Sequence, residues 1–198
     1  MFFNLITGTI EPDKGNIFFE NDNIKKLDVA ARCRKGIARS FQIPQPFSGM
    51  TVLENALVSA TQGANISIGN AENHCIDILE LTGLLRKANT LAGELTLLER
   101  KRLELAKALA TKPKILLLDE IAGGLTEQEC QVLIKVILNI MRENISIIWI
   151  EHVVHALLSV VQRLLVLDFG TKVADGNPSE IMKSKTVQKI YLGIDADG

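Results

Sequence analysis

The stretch Ile115–Glu120, which reads Ile-Leu-Leu-Leu-Asp-Glu, decides the fold of this chain. Four consecutive aliphatic residues after a Lys-Pro-Lys turn predict a short strand that is buried on both faces. Asp119 and Glu120 stand at its C-terminal end, which is the edge where open parallel sheets bind ligands. Asp119 is suited to coordinate Mg²⁺ there, and Glu120 to orient or deprotonate a water that attacks a phosphate. The alternative is a core strand that ends in two solvated acids.

Length and composition fit one α/β domain with a small appendage, since the chain has 198 residues of which 47% are hydrophobic. A net charge of −1 and few aromatic residues exclude an electrostatic nucleic-acid binder. Cys33, Cys75 and Cys130 lack metal-ligand spacing, so we expect inert thiols in a reducing compartment. No apolar run approaches the ~20 residues that a membrane helix needs. We therefore expect a cytoplasmic protein that is able to dock on a membrane partner.

Strand and helix patterns alternate along most of the chain, which predicts an α/β fold with a mostly parallel sheet. Besides the central strand, we expect strands at residues 16–20, 37–42, 145–150 and 163–168. Residues 51–95 carry no strand pattern and predict a helical subdomain inserted between the two parts of the sheet domain, 1–50 and 96–198. Thr51 and Thr96 each precede a glutamate by three residues, which is the spacing of a capping box at a helix start.

Five motifs follow one another along the chain in a specific order. They are a strand ending in Phe41-Gln42, a helical insert, a capped helix beginning Leu95-Thr96-Leu97-Leu98-Glu99, the Ile115–Glu120 strand, and Glu151-His152. This order resembles the nucleotide-binding domains of ABC transporters, which are P-loop NTPase-like. The segments Phe3–Gly8, Gln42–Phe47 and Tyr191–Gly193 resemble, more narrowly, the ATPase subunits of branched-chain amino-acid-type importers.

The resemblance implies a role for each matching residue around Mg²⁺ and ATP. Asp119 and Gln42 would be the metal ligands, and Gln42 would also sense the transmembrane partner. Glu120 would polarise the attacking water, and His152 would contact the γ-phosphate. A further set would bind nucleotide at the signature helix and in the loop that crosses to the opposite subunit: Thr96, Leu97, Leu98, Glu99, Gly124 and Thr126.

The resemblance also implies partners. Two such subunits would sandwich two ATP molecules and drive transmembrane permease subunits at the inner face of the cell membrane. A solute-binding protein outside the membrane would be an indirect partner. The expected solutes are branched-chain amino acids, with amides, urea or other small polar solutes left open. The second subunit could be identical or different.

Two departures from the family pattern concern the phosphate groups. The sequence contains no G-x-x-x-x-G-K-[ST] motif, which the family places just before the helix that here begins at Met1. We therefore expect a core without the N-terminal β part and the phosphate loop, with unpaired strand edges. Leu97 and Leu98 stand where the family has glycines that admit the phosphate close to the backbone.

The expected function is that of an N-terminally truncated ATP-binding subunit of an ABC importer, weak or inactive as an ATPase on its own. One alternative is a non-catalytic partner that lends its signature helix to a complete subunit. Another is a gene fragment without independent function. The basic run Arg100–Arg102 predicts a solvated helix face rather than a binding patch.

Overall fold

The computed structural model describes the backbone of residues 1–192 and the side chains of residues 1–190, so Gly193 of the closing motif lies outside it. The chain forms two compact units, Met1–Val153 and Val154–Gly198. Within the described residues, no helix combines the length and the apolar character that a membrane span requires.

The first unit combines a parallel sheet of three described strands with surrounding helices. Its elements, in chain order, are α1 (Phe2–Thr7), β1 (Phe18–Phe19), β2 (Asp22–Asn23), α2 (Val29–Lys35), β3 (Ile37–Ser40), α3 (Val52–Gly63), α4 (Ile68–Leu81), α5 (Leu97–Ala110), β4 (Ile115–Asp119), α6 (Glu127–Ile140) and β5 (Ser146–Ile150). Short 3₁₀ turns lie at Leu85–Lys87, Ala92–Glu94 and Met141–Glu143. The strands β1 and β2 form a separate antiparallel pair.

Strand β4 is the centre of the parallel sheet, between β3 and β5. Leu116, Leu117 and Leu118 are completely buried, which confirms a strand covered on both faces. Ser40 pairs with Leu118 and Asp119 pairs with Ile150, so the three strands end almost level with one another. Their carboxyl ends therefore meet at one edge. On its outer side, β5 has no strand partner among the described residues.

Three helices of this unit begin with a capping box. Thr51, Thr96 and Thr126 each accept a hydrogen bond from the backbone N–H three residues later, and the glutamate at that position accepts one from the threonine N–H. These reciprocal bonds satisfy backbone donors that a helix start otherwise leaves unpaired. The caps predicted from sequence at Thr51 and Thr96 are confirmed, and the structure adds the one at Thr126.

Helices α3, α4 and α5 enclose a core of small and aliphatic side chains, among them Val52, Leu79 and Leu103, which are completely buried. In the described structure, the only strand-like pairing within residues 51–95 is an isolated bridge between Thr51 and Leu91. A helical segment is therefore found where the sequence predicts one. Its core includes α5, and the proposed subdomain boundaries remain a prediction.

The second unit is described from residue 154 to residue 192. It contains α7 (Val154–Leu158), β6 (Leu164–Asp168), β7 (Thr171–Gly176), α8 (Pro178–Ile181) and α9 (Lys185–Leu192). We expected β6 to be a further strand of the parallel sheet, but its partner in the described chain is β7, in antiparallel orientation. The reason is the two-residue connection: Phe169 and Gly170 both have positive φ, 43° and 79°, which suits a tight hairpin turn.

Candidate functional site

Three predicted site residues meet at the carboxyl edge of the parallel sheet. Gln42 Nε2 donates a hydrogen bond to Glu120 Oε2 at 2.5 Å, and His152 Nε2 lies 2.7 Å from Glu120 Oε1. Each residue follows a different strand of the sheet, and the level strand ends place them side by side. Glu120 thus stands between an amide donor and an imidazole that is 76% exposed.

The backbone of Glu120 has an unusual conformation. Its φ is 48°, in the left-handed region that costs a residue with a side chain roughly 1–2 kcal/mol. The Glu120 N–H nevertheless continues the ladder by donating to the Ile150 carbonyl at 2.8 Å. Backbone outliers of this kind cluster at functional positions, where surrounding contacts impose them. Because six other described non-glycine residues, Phe169 among them, also have positive φ, the role of Glu120 rests on its side-chain partners.

Asp119 is paired with Arg39, a residue with no expected role at the site. The Arg39 guanidinium forms a salt bridge with the Asp119 carboxylate, and Arg39 Nη1 donates to Asn4 Oδ1 at 2.6 Å. It also lies 5.6 Å and 5.1 Å from the ring centroids of Phe3 and Phe41. A single arginine in a strand gives no sequence signal of such a role. Any cation at Asp119 would share that carboxylate with Arg39 or displace it.

The donor set at this edge fits Mg²⁺. Magnesium in phosphate-handling sites is held by one or two carboxylates, with phosphate and water oxygens completing its shell. Asp119 supplies such a carboxylate at the end of β4. Among the described residues, no group of three or more His, Cys, Asp or Glu side chains is arranged to hold a metal ion. The site therefore suits a metal that arrives with a nucleotide.

Behind this edge lies a buried lysine, which corrects the expectation of a solvated basic run. Lys101 is only 3% exposed, and its Nζ donates to the Gln42 carbonyl at 3.4 Å. Burial lowers the pKa of Lys101, while the negative charges of Glu151 and Glu120 act in the opposite direction. The prediction failed because Lys101 lies on the side of α5 that faces the Gln42 loop.

The same side of α5 binds that loop at two further points. Glu104, which is 4% exposed, accepts a hydrogen bond from the Gln45 N–H at 3.1 Å. Lys107 Nζ donates to Glu104 at 2.8 Å and to the Gln45 carbonyl at 3.1 Å. Because Lys101, Glu104 and Lys107 recur every three residues, they share one helix face. This face of α5 therefore hydrogen-bonds to the loop that carries Gln42 both at Gln42 and at Gln45.

The remaining predicted residues lie at the starts of two helices. The polar groups of Thr96 and Glu99 are engaged in the capping box of α5, and Thr126 caps α6. Leu97 is 43% exposed and lies beside Gly124, because a Cβ at Gly124 would come within 3.4 Å of Leu97 Cδ2. Gly124 has φ 79°, which favours glycine. The structure therefore brings Leu97 and Gly124 together.

This second group is not joined to the first by hydrogen bonds. In the described part of the chain, Thr96, Leu97, Leu98, Glu99 and Thr126 make none to Gln42, Glu120 or His152. The N-terminus of α5 is the start of a 14-residue helix, and a helix start of this kind attracts anions. The chain thus offers an acidic sheet edge and, separately, the start of α5, which is closed by its own capping box.

Comparisons with known proteins agree with this geometry. The family model described as "ABC transporter" matches residues 1–123. The chain is 33% identical to the high-affinity branched-chain amino acid transport ATP-binding protein LivG of Escherichia coli K12, over 96% of this chain and 81% of LivG. The corresponding protein BraF of Pseudomonas aeruginosa is 32% identical, with the same coverage.

Solved structures point the same way. The crystal structure of the ADP conformation of MJ1267, an ATP-binding cassette of an ABC transporter, superposes with a TM-score of 0.85 at 29% identity. The match covers 98% of this chain and 82% of that one. The family match extends over more than half of the chain, and sequence identity and fold agree with it. The chain therefore belongs to the ABC transporter family and has the fold of its ATP-binding cassettes.

Proposed function

We propose that this ATP-binding subunit serves an importer of branched-chain amino acids or similar small polar solutes. The observation that carries the proposal is the contact of Gln42 and His152 with Glu120 at the carboxyl edge of the sheet. The solute class is supported by the names of LivG and BraF, which describe branched-chain amino acid transport. Amides and urea belong to the same range of small polar solutes.

The chemistry that these residues support is attack of water on the γ-phosphate of ATP. Glu120 would orient the water and accept its proton, and the contacts of Gln42 and His152 with its two oxygens support this role because they fix the carboxylate at the sheet edge. His152 would donate to the γ-phosphate, and Gln42 and Asp119 would hold Mg²⁺. When bound, Mg²⁺ neutralises the charge that develops on the phosphate oxygens.

The proposed assembly pairs the chain with a second ATP-binding subunit beneath transmembrane permease subunits. The helix start at Thr96–Glu99 and the loop containing Gly124 and Thr126 would face the nucleotide of the second subunit. Leu97, exposed beside Gly124, would line that contact. The complex would lie on the cytoplasmic face of the membrane, with a solute-binding protein delivering the solute from the other side.

We further propose that the isolated chain hydrolyses ATP weakly or not at all. Its 198 residues contain no G-x-x-x-x-G-K-[ST] motif, whose amides and lysine normally bind the β- and γ-phosphates. Asp119 and Glu120 would then act on a nucleotide that little else holds. The absence of this motif from the 198 residues also favours an alternative. The chain would then be a non-catalytic partner that supplies the start of α5 to the site of a complete subunit.

The test is an ATPase assay of the purified chain with Mg-ATP, alongside Glu120→Gln and the control Glu72→Gln, which alters an exposed helix residue. We expect turnover far below the ~10 s⁻¹ typical of enzymes. We expect any residual turnover to be lost in Glu120→Gln and kept in the control. Turnover near that value would contradict the proposed weakness, and measurable turnover that is equal in all three proteins would contradict the role of Glu120.

A second experiment separates the two assemblies. The chain would be co-expressed with a full-length ATP-binding subunit of the LivG type, and the mixture assayed after co-purification. A catalytic subunit should lose activity in the complex when its own Glu120 is changed to Gln. A non-catalytic partner should instead lose its effect when the α5 start is disrupted by Thr96→Pro, while Glu120→Gln has none. Failure to co-purify would contradict both.

A further inference from the structure

Glu151 is a buried carboxylate that accepts four hydrogen bonds. The residue is only 4% exposed to solvent. Oε2 accepts from the Ala122 N–H at 2.9 Å and from the Trp149 indole N–H at 3.2 Å. Oε1 accepts from the N–H groups of His152 and Val153, at 2.9 Å and 3.3 Å. Each oxygen thus serves two donors.

Only a carboxylate can satisfy this arrangement. Glutamine has the same shape but a single accepting atom, so its NH₂ group would face two N–H donors whichever way it turned. A buried carboxylate is costly unless it is hydrogen-bonded and its charge is compensated. Here the four donors solvate it, and the buried Lys101 ammonium interacts with its charge. The site is therefore built around a negative charge at this position.

The four donors belong to two separate backbone segments that flank Glu120. Ala122 lies two residues after Glu120, in the loop that leads to Gly124, while the Glu120 side chain contacts His152. We infer that Glu151 is a positioning residue, which fixes the loop 121–124 and the backbone at His152 to each other so that they move as one unit. The fixation itself does not depend on nucleotide; its effect on hydrolysis rests on the proposed function.

The consequence for the site is that the loop 121–124 and the backbone of His152 would be displaced together. Displacement of the loop 121–124, for example by a second subunit, would be transmitted through Glu151 to the backbone of His152. His152 would then change its distance to Glu120 without any contact of its own with the displaced loop. Glu151 touches neither water nor phosphate in this scheme; it acts through Ala122 and His152.

The chain contains its own reporter for this role. Trp149 is the only tryptophan, and it is 8% exposed. Its indole N–H bond to Glu151 makes the indole ¹H–¹⁵N resonance a direct probe of the carboxylate. In Glu151→Gln, we expect that resonance to shift. We expect the amides of Ala122 or His152, or both, to exchange with solvent faster by about 10-fold to 100-fold, the effect of losing a hydrogen bond to a charged group.

Glu104→Gln is the matched control. Glu104 is equally buried, 4% exposed, but its partners are Gln45 and Lys107. That variant should leave the Trp149 resonance in place and the exchange of Ala122 and His152 within about twofold of the unaltered chain. An unshifted Trp149 resonance in Glu151→Gln, or unchanged exchange at both amides, would overturn the inference. The same effects in the Glu104 control would also overturn it, because they would show a general loosening.

A second measurement does not require a variant to fold. In the unaltered, nucleotide-free chain, exchange of the Ala122 and His152 amides would be followed as urea is increased. If Glu151 couples the two segments, both amides should open with the same urea dependence and equal protection factors. Opening of one segment at urea concentrations where the other stays protected would refute the coupling. Because no ATP is present, this result stands apart from success or failure of the proposed function.

Discussion

Arg39→Met is the most informative single change at the carboxyl edge of the sheet. The guanidinium pairs with Asp119, donates to Asn4 and lies over the rings of Phe3 and Phe41. Its side chain is 15% exposed and that of Asp119 21%, so the pair is only partly screened by solvent. Methionine would keep the apolar stem and remove the charge. The variant therefore separates the effect of the guanidinium charge from the effect of side-chain packing.

The expected loss of stability follows from these contacts. A hydrogen bond involving a charged group contributes about 1.5–3 kcal/mol, and a cation over an aromatic ring about 0.5–1 kcal/mol. Because the pair is partly solvated and the stem still packs, we expect a net loss of roughly 2–4 kcal/mol.

The same variant should bind a divalent cation at Asp119 more tightly, although it is less stable. Removing a positive charge about 4 Å from a divalent cation is worth about 2–8 kcal/mol between water-like and surface-like dielectrics, twice the value for two unit charges. Divalent cations should therefore bind at least about tenfold more tightly.

Equilibrium urea unfolding would measure the first quantity, and calorimetric titration with Mg²⁺ or Mn²⁺ the second. Arg34→Met is the control, because Arg34 is an exposed arginine on the adjacent helix α2. It should change neither value appreciably. The reasoning would be refuted if Arg39→Met lost less than about 0.5 kcal/mol, or if it bound the cation no more tightly than the unaltered chain.

Three further predictions concern stability. Leu117→Ala should lower the free energy of unfolding by about 2–5 kcal/mol in urea, because Leu117 is fully buried in β4; a loss below 1 kcal/mol would contradict a packed centre. Lys107→Met should cost about 1–3 kcal/mol in the same assay, since it strips the buried Glu104 of its cation; an unchanged midpoint would refute this. The hydrogen bond from the Thr96 backbone N–H lowers the pKa of Glu99. The ionised Glu99 therefore stabilises the fold at pH values above its ordinary pKa of about 4.3. This stabilisation is lost as the pH falls through the lowered pKa of the folded state. Glu99→Gln should therefore show a weaker loss of stability between pH 7 and pH 3 than the unaltered chain, and an identical pH profile would count against it.

Local patterns account for what could be predicted from the sequence. A threonine followed three residues later by glutamate encodes its own cap, because both partners lie in one helical turn, as at Thr96 and Glu99. The aliphatic run before Asp119 encodes a buried strand in the same local manner. The meeting of Gln42, Glu120 and His152 was implied by the resemblance to ABC nucleotide-binding domains, and the common edge at which parallel strands present their carboxyl ends accounts for it.

The residues that were missed depend on partners far away in sequence. Arg39 meets Asp119 across 80 positions, and Lys101 meets Gln42 across 59. Nothing in the run Arg100–Arg102 distinguishes Lys101 from its neighbours, since successive helix residues differ only by a rotation of about 100°. Which of them is buried depends on where the Gln42 loop passes. Glu151 was noted only as the neighbour of His152, because convergence of four backbone and indole donors has no sequence signature.

The level ending of β3, β4 and β5 makes the site sensitive to chain length at positions that never touch a ligand. Inserting or deleting one residue within β4 would advance or retract Asp119 and Glu120 by about 3.3 Å and turn each to the opposite face of the sheet. The same change in the loop between α3 and α4 would leave the strand ends aligned. Diverging relatives should therefore vary in length in that loop and keep a fixed length from Ile115 to Glu120.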